Sequence, residues 1–575
     1  MNRSYFLWLL FWLCGPFFSS AQTIADLERQ AATVKRPIIS LNGQMGGSAE
    51  FFSSNRPTSR SPFIGQAFVN TAISVGGFQT GLNLLYSTDH QNFRQSLNRI
   101  GVEGGWHWMQ VGIGDTYPQF SELSLGGVTL RGAYALLQPR GFRLGFATGT
   151  TQQAVEGQQG SGVSADGLLQ EGQFRRDLLA ATLGLQDKVF KLYLVGLSAK
   201  DDTLSIRHFG AAKPMSNLSM TGVLALNTKF FMLEGEATGS ALNSDLFAAK
   251  INTDEVLNAT ENPIPEVLDP AVRWALNRFV PTLGASASYA VRARSAIRIQ
   301  PVSLTGQFRY IAPGFQSLGL YTTRDDVQSW QVQPGFNLAK GRFSVSGLLG
   351  SEENNLSAQR ASTTSRNLWM VNIRAQPGTV FSFNGQMQQV TTSSDAVTGM
   401  TTEARRQVVQ NLSLSPALTL TGRGNQTHTL QLNAGLQRFI NQNQGQPATT
   451  FDNRNASLFW NSQFHRDFAV NFQTGYLDNR TAFGESQTLT AQIGTNQAFW
   501  KRKFRLDAAT GYTQTDQKIP DQPTAVFTQW STRLGATLWI NPKTQLQASA
   551  TGTRNQSENN TFRELRSRVQ LTRRF

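Results

Sequence analysis

The sequence is poor in charge, in apolar residues and in cysteine. Charged residues make up 15% of its 575 residues, where a soluble domain has about 25%. Apolar residues make up 39%, where about 45–50% is usual. The single cysteine, Cys14, has no second cysteine to pair with, which excludes an internal disulfide framework.

Long hydrophobic runs are missing as well. After residue 18, no apolar run approaches the roughly 18 residues of a membrane-spanning helix, and the mean hydropathy is −0.29, so a helical membrane protein is excluded. Disorder is disfavoured because the chain has 38 Phe, 11 Trp and 10 Tyr. Glycine is abundant, with 51 residues, and so are Gln, Asn, Ser and Thr. This composition is typical of a β-protein with one wet face and one apolar face.

Residues 1–21 are predicted to be a secretory signal peptide. Arg3 supplies the positive start, residues 5–18 form an apolar core, and the small residues 19–21 allow cleavage before Gln22. The alternative is a short membrane anchor, but the core is too short for one.

Two further features follow from the N-terminal sequence. Lipidation of Cys14 is disfavoured because the large Leu13 precedes it where a small residue is needed. Residues 22–37 are predicted to form a short periplasmic segment, amphipathic and ending at Pro37. The segment is too short to be the plug domain of an energised transporter.

The strongest pattern in the chain is alternation with a period of two. In residues 504–512, 468–476, 428–436 and 283–293, apolar or small side chains alternate with polar or small ones. Successive side chains of a strand point to opposite faces, so each segment has one apolar and one polar face. The segments exceed the usual strand length of about 5–6 residues and fit tilted strands that cross a membrane. Aromatic residues lie near predicted strand ends, where interfacial girdles form: Trp460, Phe464, Trp500, Tyr512, Trp530 and Trp539.

The connectors alternate between short and long. With the C-terminus taken as periplasmic, every second connector is a short turn, including 292–296 and 541–543, and those between are longer and more polar, including 152–174 and 242–281. This asymmetry is typical of outer-membrane barrels. We therefore predict an all-β fold, a single large antiparallel transmembrane β-barrel of about 26 strands (22–28) over residues 38–575.

The last strand carries the clearest sequence motif. Leu565, Val569 and Leu571 alternate on the outward register, and the sequence stops on Phe575. It resembles Gram-negative outer-membrane β-barrel proteins, whose assembly machinery reads a last strand of alternating apolar residues ending in Phe. The resemblance implies location in the cell outer membrane, contact with its lipid and lipopolysaccharide, and recognition by the barrel-assembly machinery through Val569, Leu571 and Phe575. Arg573 departs from the pattern, since a second apolar residue is common there.

Two other segments carry resemblances. The cleavage site 21–22 and the segment 114–118 (GDTYP) look like those of barrels from the Bacteroidota. Residues 310–320 (YIAPGFQSLGL) are similar to barrel strands of the type IX secretion translocon, although this chain is far shorter.

The connector 242–281 is too long to be passive, and part of it is predicted to be helical. Asp269 and Pro270 fit the start of a helix, and Pro281 ends it. An apolar face on this external loop needs a surface to pack against. Two alternatives stay open, a constriction inside the lumen and a lid over its mouth. The predicted constriction or lid helix comprises Asp269, Pro270, Val272, Trp274, Leu276 and Phe279.

The formal net charge is +15, and part of it is predicted to face the lumen. A positive lumen would favour anionic solutes. In the alternative reading these arginines are neutralised by luminal acids such as Asp507 and Glu564. The predicted luminal basic residues are Arg505, Arg533, Arg566, Arg568 and Arg574.

Residues suited to catalysis or metal binding are sparse. Asp89-His90, and His208 near Asp201-Asp202, are loose candidates for a hydrolase site and are better interpreted as solvated loop residues. The clustered acids of the 242–281 loop match no calcium-binding pattern. We predict no enzyme activity, cofactor or metal, and no nucleic-acid partner, because the basic residues are spread along the chain. The five histidines are His90, His107, His208, His428 and His465.

The sequence thus favours a passive, porin-like channel for small polar or anionic solutes, partly plugged by its own loops. The alternative is a non-conducting scaffold or secretion-associated barrel that binds a protein partner through its external loops. Conductance in a planar bilayer separates the two.

Overall fold

The computed structural model describes residues 39–56, 60–88, 98–157, 171–251, 279, 281–321, 324–397, 404–558 and 560–575. The predicted signal peptide 1–21 and periplasmic segment 22–37 lie outside these ranges. The described residues form 26 strands, numbered β1 to β26 in chain order. Their bounds are Ile39–Ser54, Phe63–Val75, Phe78–Ser87, Arg99–Trp106, Met109–Thr116, Leu130–Leu137, Phe142–Gln152, Arg175–Gln186, Phe190–Asp202, Ser216–Asn227, Phe231–Asn243, Ala285–Ile299, Val302–Ile311, Val327–Leu338, Phe343–Asn354, Ser362–Ala375, Phe381–Ala396, Arg405–Thr421, Thr427–Asn443, Thr449–His465, Phe468–Thr481, Gly484–Phe499, Phe504–Lys518, Ala525–Asn541, Thr544–Gln556 and Thr561–Arg574.

The strands form one closed barrel. Each strand pairs antiparallel with the next along the chain, as β25 does with β26. The ring closes through β1 and β26, whose register runs from Gln44 opposite Arg574 to Ser54 opposite Glu564. Closure leaves no unpaired strand edge, which is the condition for a sheet to cross lipid. The predicted fold and strand number are confirmed.

The outer face of the barrel is apolar. On β9 and β10, the outward side chains of Leu192, Leu194, Met220 and Leu224 are 48–60% exposed, and the same alternation continues around the ring. A belt of exposed apolar side chains on a closed barrel is the surface that hydrocarbon covers. Among the described residues, no helix is both long enough and apolar enough to span a membrane.

The connectors alternate in length as predicted from β1 to β18, but the external connector between β21 and β22, predicted to be long, is only residues 482–483 because both strands extend into it. One predicted turn is also wrong. Residues 292–296 do not form a turn. They lie within β12, which continues to Ile299, and the turn consists of Gln300 and Pro301. The clustered arginines give this segment the composition of a solvated turn. In the structure, however, Arg292 points inward and pairs with acids of the barrel wall.

The interior of the barrel contains a packed core on one side. Two external loops fold inward there. Residues 117–129 between β5 and β6 form what we call the first inserted loop, and residues 312–321 and 324–326 between β13 and β14 form what we call the second inserted loop. Buried apolar side chains of both loops pack on the inner wall. This cluster comprises Phe120, Leu125, Val128, Leu130, Leu136, Ala147, Leu178, Ala180, Val195, Leu197, Ala199, Leu242 and Leu318.

Candidate functional site: the barrel lumen

The first inserted loop is held by a buried carboxylate on the barrel wall. Glu236, on the inward face of β11, is 5% exposed. Its Oε1 accepts a hydrogen bond from the backbone N–H of Leu123 at 2.9 Å and another from the hydroxyl of Ser121. The Ser121 hydroxyl in turn accepts the N–H of Ser124 at 2.9 Å. One acid thus organises the turn at the tip of the loop.

The charge of Glu236 is balanced by Arg292, the inward arginine of β12. Arg292 Nη1 lies 3.4 Å from Glu236 Oε2 and 2.9 Å from Glu122 Oε2, and its Nη2 lies 3.4 Å from Glu234 Oε1. Arg292 is 5% exposed, and a buried cation is tolerated only when it is paired. Because Glu122 belongs to the loop and the other two acids belong to β11, the guanidinium joins the loop to the wall electrostatically.

The second inserted loop is held by a buried amide. Asn217, on the inward face of β10, donates from Nδ2 to the carbonyl oxygen of Gln316 at 3.3 Å and to Ser240 Oγ at 2.7 Å. Its Oδ1 accepts the backbone N–H of Leu318 at 3.1 Å. Ser240 Oγ also donates to the carbonyl of Gln316 at 2.6 Å. These bonds satisfy the loop backbone where water is excluded.

The two inserted loops also bind each other. Gly126 donates its N–H to the carbonyl of Gly319 at 3.3 Å, and Ser317 Oγ donates to the carbonyl of Ser124 at 2.8 Å. The contact is close at Gly319, where a Cβ would lie 2.3 Å from the carbonyl oxygen of Ser124 and 2.4 Å from a methyl carbon of Leu197. The loops therefore form a single internal plug, which we call the two-loop plug.

The opposite wall of the lumen is polar. From β19 to β23, inward-facing residues of neighbouring strands lie directly opposite one another. Asn461 lies opposite Asn471, and Gln473 lies opposite Gln492. Inward amides of this wall are Gln431, Asn433, Asn453, Asn455, Asn461, Gln463, Asn471, Gln473, Gln492 and Asn496.

The predicted luminal arginines fall into two groups. Arg505 Nε lies 3.2 Å from Asp507 Oδ1, and Arg566 Nη2 lies 2.7 Å from Glu50 Oε2. Within the described part of the chain, no ion pair joins Arg533, Arg568 or Arg574 to an acid. All five arginines lie on the inward register of their strands.

The acid Glu564, considered above as a luminal partner, pairs instead with Arg56 at 2.9 Å. The neutralising interpretation therefore fits Arg505 with Asp507 and Arg566 with Glu50, but it does not fit Glu564, which pairs with none of the five predicted luminal arginines.

The predicted lid helix lies almost entirely outside the described residues, which omit Asp269, Pro270, Val272, Trp274 and Leu276. Phe279 is described and is 8% exposed, and its carbonyl accepts the Nδ2 of Asn243 at 3.2 Å. The two ends of the long connector are paired, because Ile251 donates its N–H to the carbonyl of Pro281 at 2.9 Å.

The residues of the predicted assembly signal lie at the seam of the barrel. Val569 and Leu571 face outward, 43% and 47% exposed. Phe575 donates its N–H to the carbonyl of Gly43 on β1 at 3.2 Å, and its ring lies against Gly43, where a Cβ would be 3.0 Å from the ring.

Two features of the lumen were missed from the sequence. The sequence pattern predicts ordinary external connectors where the two-loop plug lies, although Phe120, Leu123 and Leu125 are unusually apolar for a solvated loop. Residues 310–320, which resemble barrel strands, are strand only as far as Ile311, where β13 ends, and continue as the second inserted loop. Trp539 was assigned to an outer aromatic girdle, but it lines the lumen beside Arg505. The alternation with the outward Ile540, which is 57% exposed, could have revealed its direction.

The described ranges contain no group of three or more His, Cys, Asp or Glu side chains placed to hold a metal ion. His208, one of the loose candidates above, lies with its Nδ1 3.6 Å from Glu156 Oε2, and His428 Nδ1 contacts the hydroxyl of Ser462.

Comparison with known proteins gives similarities to solved structures alone. No protein-family model matches the sequence, and no curated protein matches it significantly. A chain of the E. coli P pilus tip assembly intermediate PapC-PapD-PapK-PapG is 10% identical over 92% of this chain, with a TM-score of 0.43, and the present chain spans 60% of its length. The P pilus usher PapC translocation pore is 10% identical over 93% of this chain and 99% of its own, with a TM-score of 0.35. Acinetobacter baumannii OccAB3 is 10% identical over 63% of this chain and 92% of its own, with a TM-score of 0.30.

Proposed function

We propose that the protein is an outer-membrane channel that passes small polar or anionic solutes passively. The observation that carries the proposal is the division of the lumen, with the two-loop plug packed on one side and a wall of amides and arginines on the other. A ring of 26 strands has a backbone diameter of about 50 Å, more than two short loops can fill. Water and small solutes then move along the polar wall.

The preference for anions rests on the luminal arginines that form no ion pair with an acid among the described residues. Arg533, Arg568 and Arg574 add positive charge to a lumen in which Arg505 and Arg566 are already balanced. Fixed charge on the wall of a pore raises the local concentration of the opposite ion.

The test is single-channel conductance of the purified protein in a planar bilayer. We expect discrete steps and, in a tenfold salt gradient, a reversal potential of the sign given by chloride permeation. Steps with a cation-selective reversal potential would remove the anion part of the proposal, and a silent bilayer would remove the channel.

The second candidate is a non-conducting scaffold or secretion-associated barrel, with a protein partner at its external loops. It is favoured by the anchoring of the two-loop plug, in which Glu236, Arg292 and Asn217 are all 5% exposed or less. A silent bilayer together with co-purification of a partner that requires the external loops would support it.

The partners that we propose are those of an outer-membrane barrel. Lipid covers the apolar belt, lipopolysaccharide contacts its outer part, and the barrel-assembly machinery recognises Val569, Leu571 and Phe575. We propose no cofactor and no catalytic role.

A further inference from the structure

Three arginines gather around a single acid on the wall of the lumen, beside the seam that closes the barrel. The acid is Glu50, which lies in the outer half of β1 on its inward face. Its Oε1 accepts a hydrogen bond from Nη2 of Arg60, and its Oε2 lies 2.7 Å from Nη2 of Arg566. One carboxylate therefore brings the guanidiniums of two arginines together.

Arg568 adds a third guanidinium from the neighbouring strand. It lies directly opposite Glu50, and the Cα atoms of such antiparallel partners are about 4.5–5.5 Å apart. It follows Arg566 by two residues on the inward face of β26, a distance of about 7 Å along the strand. Its Nη2 donates to Ser48 Oγ at 3.5 Å. Because Glu50 and Ser48 both belong to β1, the side chains of Arg566 and Arg568 point to the same side. We call Arg60, Arg566 and Arg568 the arginine cluster.

The arginine cluster has more positive charge than the nearby acids balance. Glu50 supplies one negative charge for three guanidiniums, which leaves two positive charges in excess. The next inward acid of β26, Glu564, lies 2.9 Å from Arg56 and is balanced by it. Within the described residues, Arg568 forms no ion pair with an acid. The wall is therefore locally cationic at this point of the seam.

The guanidiniums are open to the lumen, whereas the acid beneath them is covered. The side chain of Arg566 is 52% exposed and that of Glu50 is 13% exposed. The guanidinium carbon of Arg60 lies 4.8 Å from the centre of the Phe52 ring, which supports it from the wall. A guanidinium has five N–H donors, and Glu50 accepts one of those of Arg566. Arg566 is thus held in place and keeps donors for a solute.

This arrangement favours a doubly charged oxyanion over a carboxylate. A guanidinium binds a phosphate through two parallel N–H···O hydrogen bonds. A phosphate monoester carries about −1.5 to −2 charges at pH 7 and has three acceptor oxygens. It can therefore neutralise both excess positive charges and accept hydrogen bonds from more than one arginine, whereas a single carboxylate has one charge and two oxygens.

We propose that the arginine cluster is a binding site for a phosphate dianion, either free phosphate or a phosphate monoester. The anion lies between Arg566 and Arg568 on the lumen side of Ser48, and Arg60 bounds the site toward the outer mouth. Glu50 is a positioning residue that holds Arg60 and Arg566 in place. The inference rests on the proposed channel function, since it names the class of anion that the channel passes.

The test compares ligands that share a three-carbon skeleton. Glycerol 3-phosphate, glycerate and glycerol are titrated by calorimetry onto the purified, detergent-solubilised full-length protein at low salt. We expect glycerol 3-phosphate to bind at least about tenfold more tightly than glycerate and glycerol not to bind. Inorganic phosphate is the fourth ligand. Equal affinity for inorganic phosphate would show that the phosphate group alone is recognised, and lower affinity would identify the ester as the ligand. Both outcomes support the proposal.

Substitutions of Arg568 test the site itself. Arg568→Gln should weaken binding of glycerol 3-phosphate about tenfold, through the loss of one charge-assisted contact. Arg568→Lys keeps the charge without the planar fork of donors and should lose less. Arg405→Gln is the matched control and should bind like the unaltered protein, because Arg405 is an exposed inward arginine near the outer end of β18, far from β26 in the ring. Heat-modifiable mobility on gels shows that each variant is folded.

Three results would overturn the proposal. They are equal binding of glycerate and glycerol 3-phosphate, equal loss in Arg568→Gln and Arg405→Gln, and no binding of either phosphate. Conductance measured without phosphate tests the channel separately. A silent bilayer with intact phosphate binding would refute the channel alone, and conductance without phosphate binding would refute the site alone.

Discussion

Glu236 on the barrel wall accepts the backbone N–H of Leu123 at 2.9 Å, across 113 positions of sequence. A buried carboxylate that serves a loop amide, a hydroxyl and Arg292 cannot be removed without leaving several polar groups unpaired. Anchoring of the first inserted loop therefore depends on this one side chain.

Glu236→Ala should release the first inserted loop. The substitution leaves the Leu123 amide and the Ser121 hydroxyl without their acceptor, and it removes one of the carboxylates that neutralise Arg292. We expect these losses to weaken docking of the loop on the barrel wall by about 2–4 kcal/mol. Amide hydrogen exchange in residues 119–126 should accelerate, and single-channel current should rise or become noisier. Glu234→Ala, on the same face but without a bond to the loop, is the control. Equal effects of the two substitutions would show that charge alone matters.

Gly319→Ala should separate the two inserted loops from each other. The new Cβ would lie 2.3 Å from the carbonyl oxygen of Ser124, so the backbone must move at a cost of about 1–3 kcal/mol. Exchange should accelerate in both inserted loops while the strands stay protected. Gly196→Ala is a suitable control because a Cβ at Gly196 meets no atom within 4 Å. Protection unchanged in Gly319→Ala would contradict the close contact.

Deletion of residues 252–278, which keeps the buried Phe279 and its bond to Asn243, tests the predicted constriction or lid. The two ends of this connector are joined by backbone hydrogen bonds. Ile251 donates its N–H to the carbonyl of Pro281 at 2.9 Å, and Leu283 donates its N–H to the carbonyl of Ala249 at 3.0 Å. A short Gly-Ser linker should therefore close the gap without disturbing β11 or β12. We expect conductance to increase. A folded deletion variant with unchanged conductance would exclude a constriction formed by this segment.

Removal of Phe575 should impair assembly. Its ring packs on Gly43 at the β1–β26 seam, and the motif resembles the signal that the assembly machinery reads. We expect less heat-modifiable, folded protein in outer-membrane fractions, with unfolded protein degraded in the periplasm. Arg573→Ala, two residues earlier on the same register, should have little effect. Normal assembly without Phe575 would refute its role.

Acidification should loosen the contact between two external loops. Glu156 accepts the backbone N–H groups of His208 at 2.9 Å and of Arg207 at 3.1 Å, and these bonds hold the pKa of the Glu156 carboxyl below its ordinary value. A depressed pKa means that the carboxylate stabilises the contact above about pH 4.5 and loses this effect as the pH falls through the folded-state pKa.

Exchange of the two amides, corrected for its intrinsic pH dependence, should therefore increase below about pH 4.5. In Glu156→Gln the increase in this window should disappear. Persistence of the increase in that variant would assign it to another group.

Alternation and connector length were sufficient to predict the barrel. A one-residue shift would reverse every side chain of a strand, so Leu565, Val569 and Leu571 determine which face of β26 meets lipid. The same rule placed Arg505 and Arg566 inward. It failed at 292–296, because a charged inward strand facing buried acids has the same local composition as a solvated turn.

Local alternation was enough to predict a closed barrel of about 26 strands and the polarity of its two faces, because each strand carries its period of two within its own residues. What fills the lumen depends on contacts that only the folded barrel creates. Asn217 and Leu318 are 101 residues apart, and Glu236 and Arg292 meet only because β11 and β12 are neighbours. Such long-range contacts depend on barrel curvature and loop direction, which no local pattern encodes.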